Sequence, residues 1–219
     1  MRFIRKFFFL AAVMTVFTSV YSSAFADKTE FLNTLQQLKE NGSIPVSEGQ
    51  ITTYGDFSDN YTNMGTAKYY AITEADHFVL SSKISWLSAF SAPNGAVSGC
   101  GFVFGAGSDA VSDAKNYLMT SIRMNGYIYF NGLNNGNSLS YGQQYVTNPS
   151  IQGEGFLTLV VDGSSVSIYF NGNQISNRND VVIPGDNLGF AILSGTNKDF
   201  GTQCTFEDIF LYTWQDEIQ

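Results

Sequence analysis

Cleaving a glycosidic bond takes two carboxyl groups at a set separation, roughly 5–5.5 Å when the anomeric configuration is retained. The chain has nineteen aspartates and glutamates to draw on, and Phe206-Glu-Asp-Ile209 sets two of them side by side. Neighbouring residues of a strand point to opposite faces. Glu207 and Asp208 therefore cannot work as a pair; one is expected at the surface and the other on a neighbouring backbone group. His77 is the only histidine. No serine–histidine–aspartate arrangement can be read around it, and one histidine with two cysteines does not make a zinc centre. It is expected as a polar residue opening a strand. No catalytic residue is assigned, and the reading leans away from an enzyme.

Harder cations are a separate matter. Asp56, Asp59 and Asn60, Asp109 and Asp113, Asp186, and Asn197 with Asp199 supply oxygen ligands of the kind calcium takes. None falls into the spaced Asp-x-Asp-x-Asp-Gly array of a dedicated loop. Calcium ligation and plain solvated turns both stay open for them, and no other cofactor is expected.

A third chemistry needs no ionisation. Sugars present apolar C–H faces ringed by hydroxyls, so a surface that holds them sets flat aromatic rings beside short polar groups and a guanidinium fork. Tyr117, Arg123, Tyr127, Tyr129, Thr158, Ser167 and Tyr169 have those side chains. Their placement rests on two hairpins. Around Asn125-Gly126, a two-residue loop would mix polar and apolar side chains on each face. A three-residue loop, Met124-Asn125-Gly126 with the glycine in a left-handed bulge, pairs Ile122 with Ile128 and Arg123 with Tyr127. Leu118, Ile122, Ile128 and Phe130 then share one face, and Tyr117, Arg123, Tyr127 and Tyr129 the other. A one-residue slip inverts every side chain, so this sorting selects the longer loop. In the second hairpin, a turn over Asp162 to Ser165 pairs Val161 with Val166, Leu159 with Ile168 and Leu157 with Phe170. Thr158, Ser167 and Tyr169 lie opposite. All seven candidates line one wall if both hairpins lie in the same sheet. The competing reading is that tyrosine and threonine are good strand formers on a solvated face, or on an outer face covered by a helix or loop. Tyr141, Gln143, Gln144 and Tyr145 are placed in a long polar loop that would rim such a groove. Trp86 and Trp214 are expected as core or interface anchors.

The elements that carry these residues are almost all strands. Candidate strands run over 51–57, 67–72, 77–87, 98–105, 116–123, 127–131, 156–161, 166–171, 187–194 and 204–213. Glycine, asparagine, aspartate and serine clusters separate them without intervening amphipathic helices, which argues for antiparallel pairing. Before them, Asp27 to Glu40 reads as a short helix with Phe31, Leu32, Leu35 and Leu38 on one face, stopped by Asn41-Gly42. Pro45 to Gln50 is a linker.

Residues 1–26 read as an export signal. Arg2, Arg5 and Lys6 precede the apolar run Phe7 to Thr18, and Ala24-Phe-Ala26 offers a cleavage site. The apolar run is short for a membrane span, and no later segment is long and apolar enough for one. The organisation expected is signal peptide 1–26, helix and linker 27–50, and one β domain 51–219, in a secreted or periplasmic protein. Removal of the signal leaves eight basic residues against nineteen acidic ones. A surface so acidic repels phosphate backbones and anionic lipid heads, which argues against nucleic acid and membrane partners. The only cysteines, Cys100 and Cys204, form an even count in an exported chain and suggest one disulfide between neighbouring strands.

Several segments carry a resemblance. These are His77-Phe-Val-Leu80 leading to Trp86, Gly99-Cys-Gly-Phe-Val-Phe104, Tyr117-Leu118, Asn171-Gly172, Gly185 with Gly189-Phe190, and Phe206-Glu-Asp-Ile209. Over residues 50–213 the chain resembles the concanavalin A-like, LamG-type superfamily, including its secreted bacterial branch named after 3-keto-disaccharide hydrolases. The resemblance implies a two-sheet antiparallel jelly roll, an all-β fold in which glycans lie on the concave side of lectins and glucanases and some members hold calcium. The Glu-x-Asp-x-(x)-Glu pattern of family-16 glucanases is not found, so activity would rest on fold analogy alone. The function expected is a non-catalytic glycan- or surface-recognition module. The alternatives are a glycoside hydrolase or lyase of unfamiliar site chemistry, or a structural subunit of a cell-envelope assembly.

Overall fold

Alternation of apolar and polar side chains sorts this chain into two layers. The structure, a computed structural model, describes residues 28–46, 48–89, 97–107 and 115–215; the expected signal peptide and the calcium candidates Asp109 and Asp113 lie outside them. The chain divides after Val46 into two compact units. In the first, residues 28–40 form helix α1. Phe31, Leu35 and Leu38 are buried, while Leu32 is 42% exposed. Gly42 takes a φ of +74°, and the Ser43 N–H donates to the Leu38 carbonyl at 2.8 Å. The left-handed glycine satisfies carbonyls that the helix would otherwise leave unpaired.

The second unit holds thirteen strands among the described residues, all paired antiparallel. One sheet contains β1 (Gln50–Tyr54), β2 (Phe57–Tyr61), β4 (His77–Ser88), β9 (Gln152–Asp162), β10 (Ser165–Phe170), β11 (Asn173–Arg178) and β13 (Thr202–Thr213). Its order is β1-β13-β4-β9-β10-β11, with β2 also pairing to β13. The other sheet contains β3 (Thr66–Glu74), β5 (Gly99–Ala106), β6 (Tyr117–Arg123), β7 (Tyr127–Asn134), β8 (Asn137–Tyr145) and β12 (Asn187–Ser194), in the order β3-β12-β5-β6-β7-β8. This is the antiparallel jelly-roll sandwich expected from the sequence.

Inward side chains of both sheets make one core. Phe78, Leu80, Ile84, Leu157 and Leu159 come from the seven-stranded sheet, and Phe102, Phe104, Leu118, Ile122 and Phe190 from the other. Phe190 and Phe206 stack across the layers with ring centroids 4.3 Å apart. Both hairpin registers hold, with Ile122 opposite Ile128 and Val161 opposite Val166.

Three strands differ from expectation. The segment read as one strand over 51–57 is two, β1 and β2, each pairing with a different stretch of β13. β8 occupies the expected polar loop, and β11 was not anticipated. β8 and β11 are edge strands, wetted on much of their surface, so their sequences lack the alternation that marks a half-buried strand. The disulfide between Cys100 and Cys204 is present, its Cα atoms 5.8 Å apart. It does not join neighbours within a sheet. Cys100 is on β5 and Cys204 on β13, so the bridge ties the two layers together through the interior.

Candidate functional site

The seven aromatic and polar candidates do not share a wall. Tyr117, Arg123, Tyr127 and Tyr129 belong to β6 and β7 in the six-stranded sheet; Thr158, Ser167 and Tyr169 belong to β9 and β10 in the other. Each set faces outward, on opposite sides of the sandwich. Hydrophobic sorting sets the register inside a hairpin but is silent on which sheet the hairpin joins. The second set also lacks the look of a site. Thr158 is buried and bonded to Ser81 through their hydroxyls at 2.8 Å, and Tyr169 accepts from Gln174 Nε2 at 3.4 Å.

Within the first set the structure separates Tyr117. It sits at the far end of β6, about 20 Å of strand rise from Arg123, in ring contact with Tyr69 at 5.0 Å. Both pack on the small apolar cluster of Val103, Met119, Ala191 and Leu193. Burial pushes the Tyr69 hydroxyl well above its ordinary range.

Arg123, Tyr127 and Tyr129 do converge, and Tyr145 joins them. Tyr127 pairs with Tyr145 and Tyr129 with Gln143 across β7 and β8. The Arg123 guanidinium carbon lies 4.0 Å over the Tyr129 ring. Tyr127 meets Tyr129 at 6.2 Å and Tyr145 edge-on at 5.3 Å. Partial burial of the guanidinium pushes its pKa down, and stacking on the negative face of a tyrosine ring suits a cation that has lost some of its water. Asn125 Nδ2 donates to the Tyr129 hydroxyl at 2.8 Å, and the Tyr145 hydroxyl donates to Asn148 Oδ1 at 2.9 Å.

The β6–β7 turn holds this group in place. Gly126 has a φ of +83°, and a Cβ there would lie 1.9 Å from the Thr147 carbonyl oxygen. Only glycine lets residues 146–150 dock on the turn, where Val146 N–H donates to the Gly126 carbonyl and Ser150 N–H to that of Met124. That docking fixes Tyr145 and Asn148. Tyr145 is 47% exposed, with Tyr127 and Tyr129 half-buried behind it. The result is a ring-and-guanidinium platform at one end of the six-stranded sheet.

Sequence reasoning misplaced Tyr145 and Gln143 because β8 was read as a loop. The missed signal is Asn135-Gly136, a left-handed pair at φ 51° and 76° that turns β7 into β8. Tyr141 and Gln144 point the other way. Tyr141 stacks on Phe130 at 4.6 Å, and both residues line a cavity of about 140 Å³ between β8 and β11, where Arg178 Nη2 donates to the Tyr141 carbonyl.

The acidic candidates resolve differently. Glu207 does not alternate with Asp208 along a flat strand, because a bulge interrupts β13 there and Asp208 takes a φ of 51°. Glu207 and Glu154 both face outward on the seven-stranded sheet and both reach Lys83 Nζ, at 3.6 and 3.3 Å. His77 opens β4 as expected, with its Nδ1 on Asp162 at 2.8 Å. Asp59 is engaged by Lys68 and Tyr70, and Asn197 Oδ1 accepts from the Met64 backbone. Among the described residues no group of three or more histidine, cysteine, aspartate or glutamate side chains is arranged to hold a metal.

No protein-family model and no curated protein matches the chain. Solved structures do. The carbohydrate-binding module CBM66 from Bacillus subtilis is 14% identical with a TM-score of 0.52, the match covering 73% of this chain and 92% of that one. The metal-free carbohydrate recognition domain of Emp46p is 10% identical with a TM-score of 0.50, covering 76% and 88%. A prokaryotic β-1,3-1,4-glucanase (lichenase) derived from a mouse hindgut metagenome is 10% identical with a TM-score of 0.49, covering 72% and 78%. At such identities the likeness is one of fold: the chain is a concanavalin A-like jelly roll.

Proposed function

We propose that the protein is an exported, non-catalytic carbohydrate-binding module whose ligand lies on the Arg123, Tyr127, Tyr129 and Tyr145 platform. The observation that carries this reading is the contiguity of the three rings and the guanidinium, with Tyr145 and Gln143 open to solvent. A pyranose or furanose ring can lay its C–H face on Tyr145 while its hydroxyls meet the amides of Gln143 and Asn148. Neutral glycans fit better than anionic ones, since the mature chain would be strongly acidic. The fold is shared with the carbohydrate-binding module and the recognition domain named above, and a disulfide suits an oxidising compartment outside the cytoplasm.

The rival reading, a glycoside hydrolase, would call on Glu154 and Glu207. The Lys83 ammonium stands between them, where a scissile bond would have to lie.

A panel of neutral polysaccharides, read by affinity electrophoresis and calorimetry, tests the proposal. Tyr145→Ala and Tyr127→Ala are each expected to weaken binding about tenfold. Tyr169→Ala, on the other sheet, should leave it unchanged. Absence of binding to any glycan, or binding indifferent to Tyr145 and Tyr127, overturns the assignment. Reducing-sugar release from the same panel would favour the hydrolase.

A further inference from the structure

Two small residues hold open the gap between β8 and β11, the last strands of the two sheets on one side of the sandwich. The register places them. Gly142 pairs with Phe130 and Gln144 with Ile128, while Ser176 pairs with Ile168 and Arg178 with Val166. Directly paired residues lie on one face of a sheet, and all four partners belong to the core. Gly142, Gln144, Ser176 and Arg178 are therefore inward positions. Phe130 and Ile168 are bulky, but a glycine and a serine stand beside them. A Cβ at Gly142 would meet nothing nearer than Arg178 Nη2 at 3.9 Å.

The room they leave is the cavity of about 140 Å³ behind the platform strand. Its floor is apolar and buried, made of Ile128, Phe130 and Ile168, with Ile175 and the stacked Tyr141 ring at the sides. Its mouth is polar and wet, with Gln144 and Arg178 exposed and Ser176 half-buried. Arg178 is the informative residue. Its Nη2 donates to the Tyr141 carbonyl at 2.6 Å, which uses one of five N–H donors and leaves the charge facing a neutral acceptor. Among the described residues it makes no ion pair, whereas Lys68 and Lys83 both do.

We infer that this cavity is a second binding site, for a small aromatic carboxylate whose ring enters between the sheets and whose acid group stays at the mouth on Arg178. Size and chemistry select that ligand. A dry cavity of about 150 Å³ lined by apolar side chains takes a benzene ring, so this one has room for one ring and no long chain. A carboxylate matches the guanidinium fork with two charge-assisted hydrogen bonds. A sugar would have to press its hydroxyls against Ile128, Phe130 and Ile168 without partners for them. An amine would meet the arginine charge. The acidic surface elsewhere is screened over about 8 Å at physiological salt and does not decide a contact made inside the mouth.

NMR of the full chain with ¹³C-labelled isoleucine methyls reads the site from its floor. Titration with benzoate is expected to move the Ile128, Ile168 and Ile175 signals saturably, with affinity in about the millimolar range. Ile192, three strands away on β12, should stay in place. Benzyl alcohol should bind about tenfold more weakly, benzylamine more weakly still, and glucose not at all. Arg178→Gln should lower benzoate affinity about tenfold and leave that of benzyl alcohol unchanged. Ser176→Leu, which fills the cavity, should abolish the response to both. Melting curves report whether each variant is folded, and the comparison of the four probes on the wild type stands without them. Tyr145→Ala should lose glycan binding and keep benzoate, so failure of the platform and failure of this site are told apart. Isoleucine signals that ignore benzoate, that move as strongly with benzylamine or glucose, or that respond undiminished in a folded Arg178→Gln overturn the inference.

Discussion

Tyr70 donates its phenol hydrogen to Asp59, and Lys68 adds an ion pair at 3.0 Å while its ammonium lies over the Tyr70 ring. The group closes the gap between β2 and β3, the outermost strands on that side of the two sheets. The Tyr70 hydrogen bond first, and the lysine after it, hold the Asp59 carboxyl below its usual value. A lowered carboxylate pKa stabilises the fold above the unfolded value and loses that contribution as pH falls through the folded one. The melting temperature of Asp59→Asn should therefore lie below that of the wild type above about pH 4, and the gap should close in stronger acid; a gap independent of pH would exclude the ionised carboxylate as its source. Asp59 reads in the sequence as a turn acid with calcium chemistry. Its partners sit nine and eleven residues away on a different sheet, and no local pattern announces them. The convergence of Arg123, Tyr127 and Tyr129, by contrast, follows from a single hairpin and is legible in it.

Hairpins read well where one face is greasy. The β6–β7 and β9–β10 registers follow from burying Ile122 with Ile128 and Leu159 with Ile168, because any slip would bury tyrosine, serine and arginine instead. Strands without such a face do not read well. Asn137-Ser-Leu-Ser-Tyr-Gly-Gln-Gln-Tyr145 has no apolar period, and only the preceding Asn-Gly turn identifies it as a strand. Its far end depends on Gly126. Replacing that glycine with alanine forces a side chain into left-handed backbone and against the Thr147 carbonyl. The expected cost is about 1–3 kcal/mol by urea denaturation. Because Tyr145 and Asn148 are held through the same turn, glycan affinity should fall with it. A Gly126→Ala variant of unchanged stability would show that residues 146–150 are not seated on the turn.

Nothing in either hairpin says which layer it will join, and that decision separates Tyr169 from Tyr127. It is made by long-range pairing: β5 receives β6, and β4 receives β9. The disulfide acts over the same range, closing a separation of 104 residues. In the chain-entropy account such a loop contributes about 4–5 kcal/mol. Cys100→Ser/Cys204→Ser should lose a large part of that in equilibrium denaturation, and an undiminished denaturation midpoint would mean that the bridge adds little beyond the packing around it.

The position of β13 has a bearing on biogenesis. Of the thirteen strands among the described residues it is the last to be synthesised, yet it lies between β4 and the pair β1 and β2 and contributes Phe206 and Cys204 to the interior. Until it emerges from the ribosome, β4 has an open edge, β1 and β2 have no seat, and the thiol of Cys100 has no mate. A growing polypeptide of this design leaves the seven-stranded sheet divided until β13 has been made.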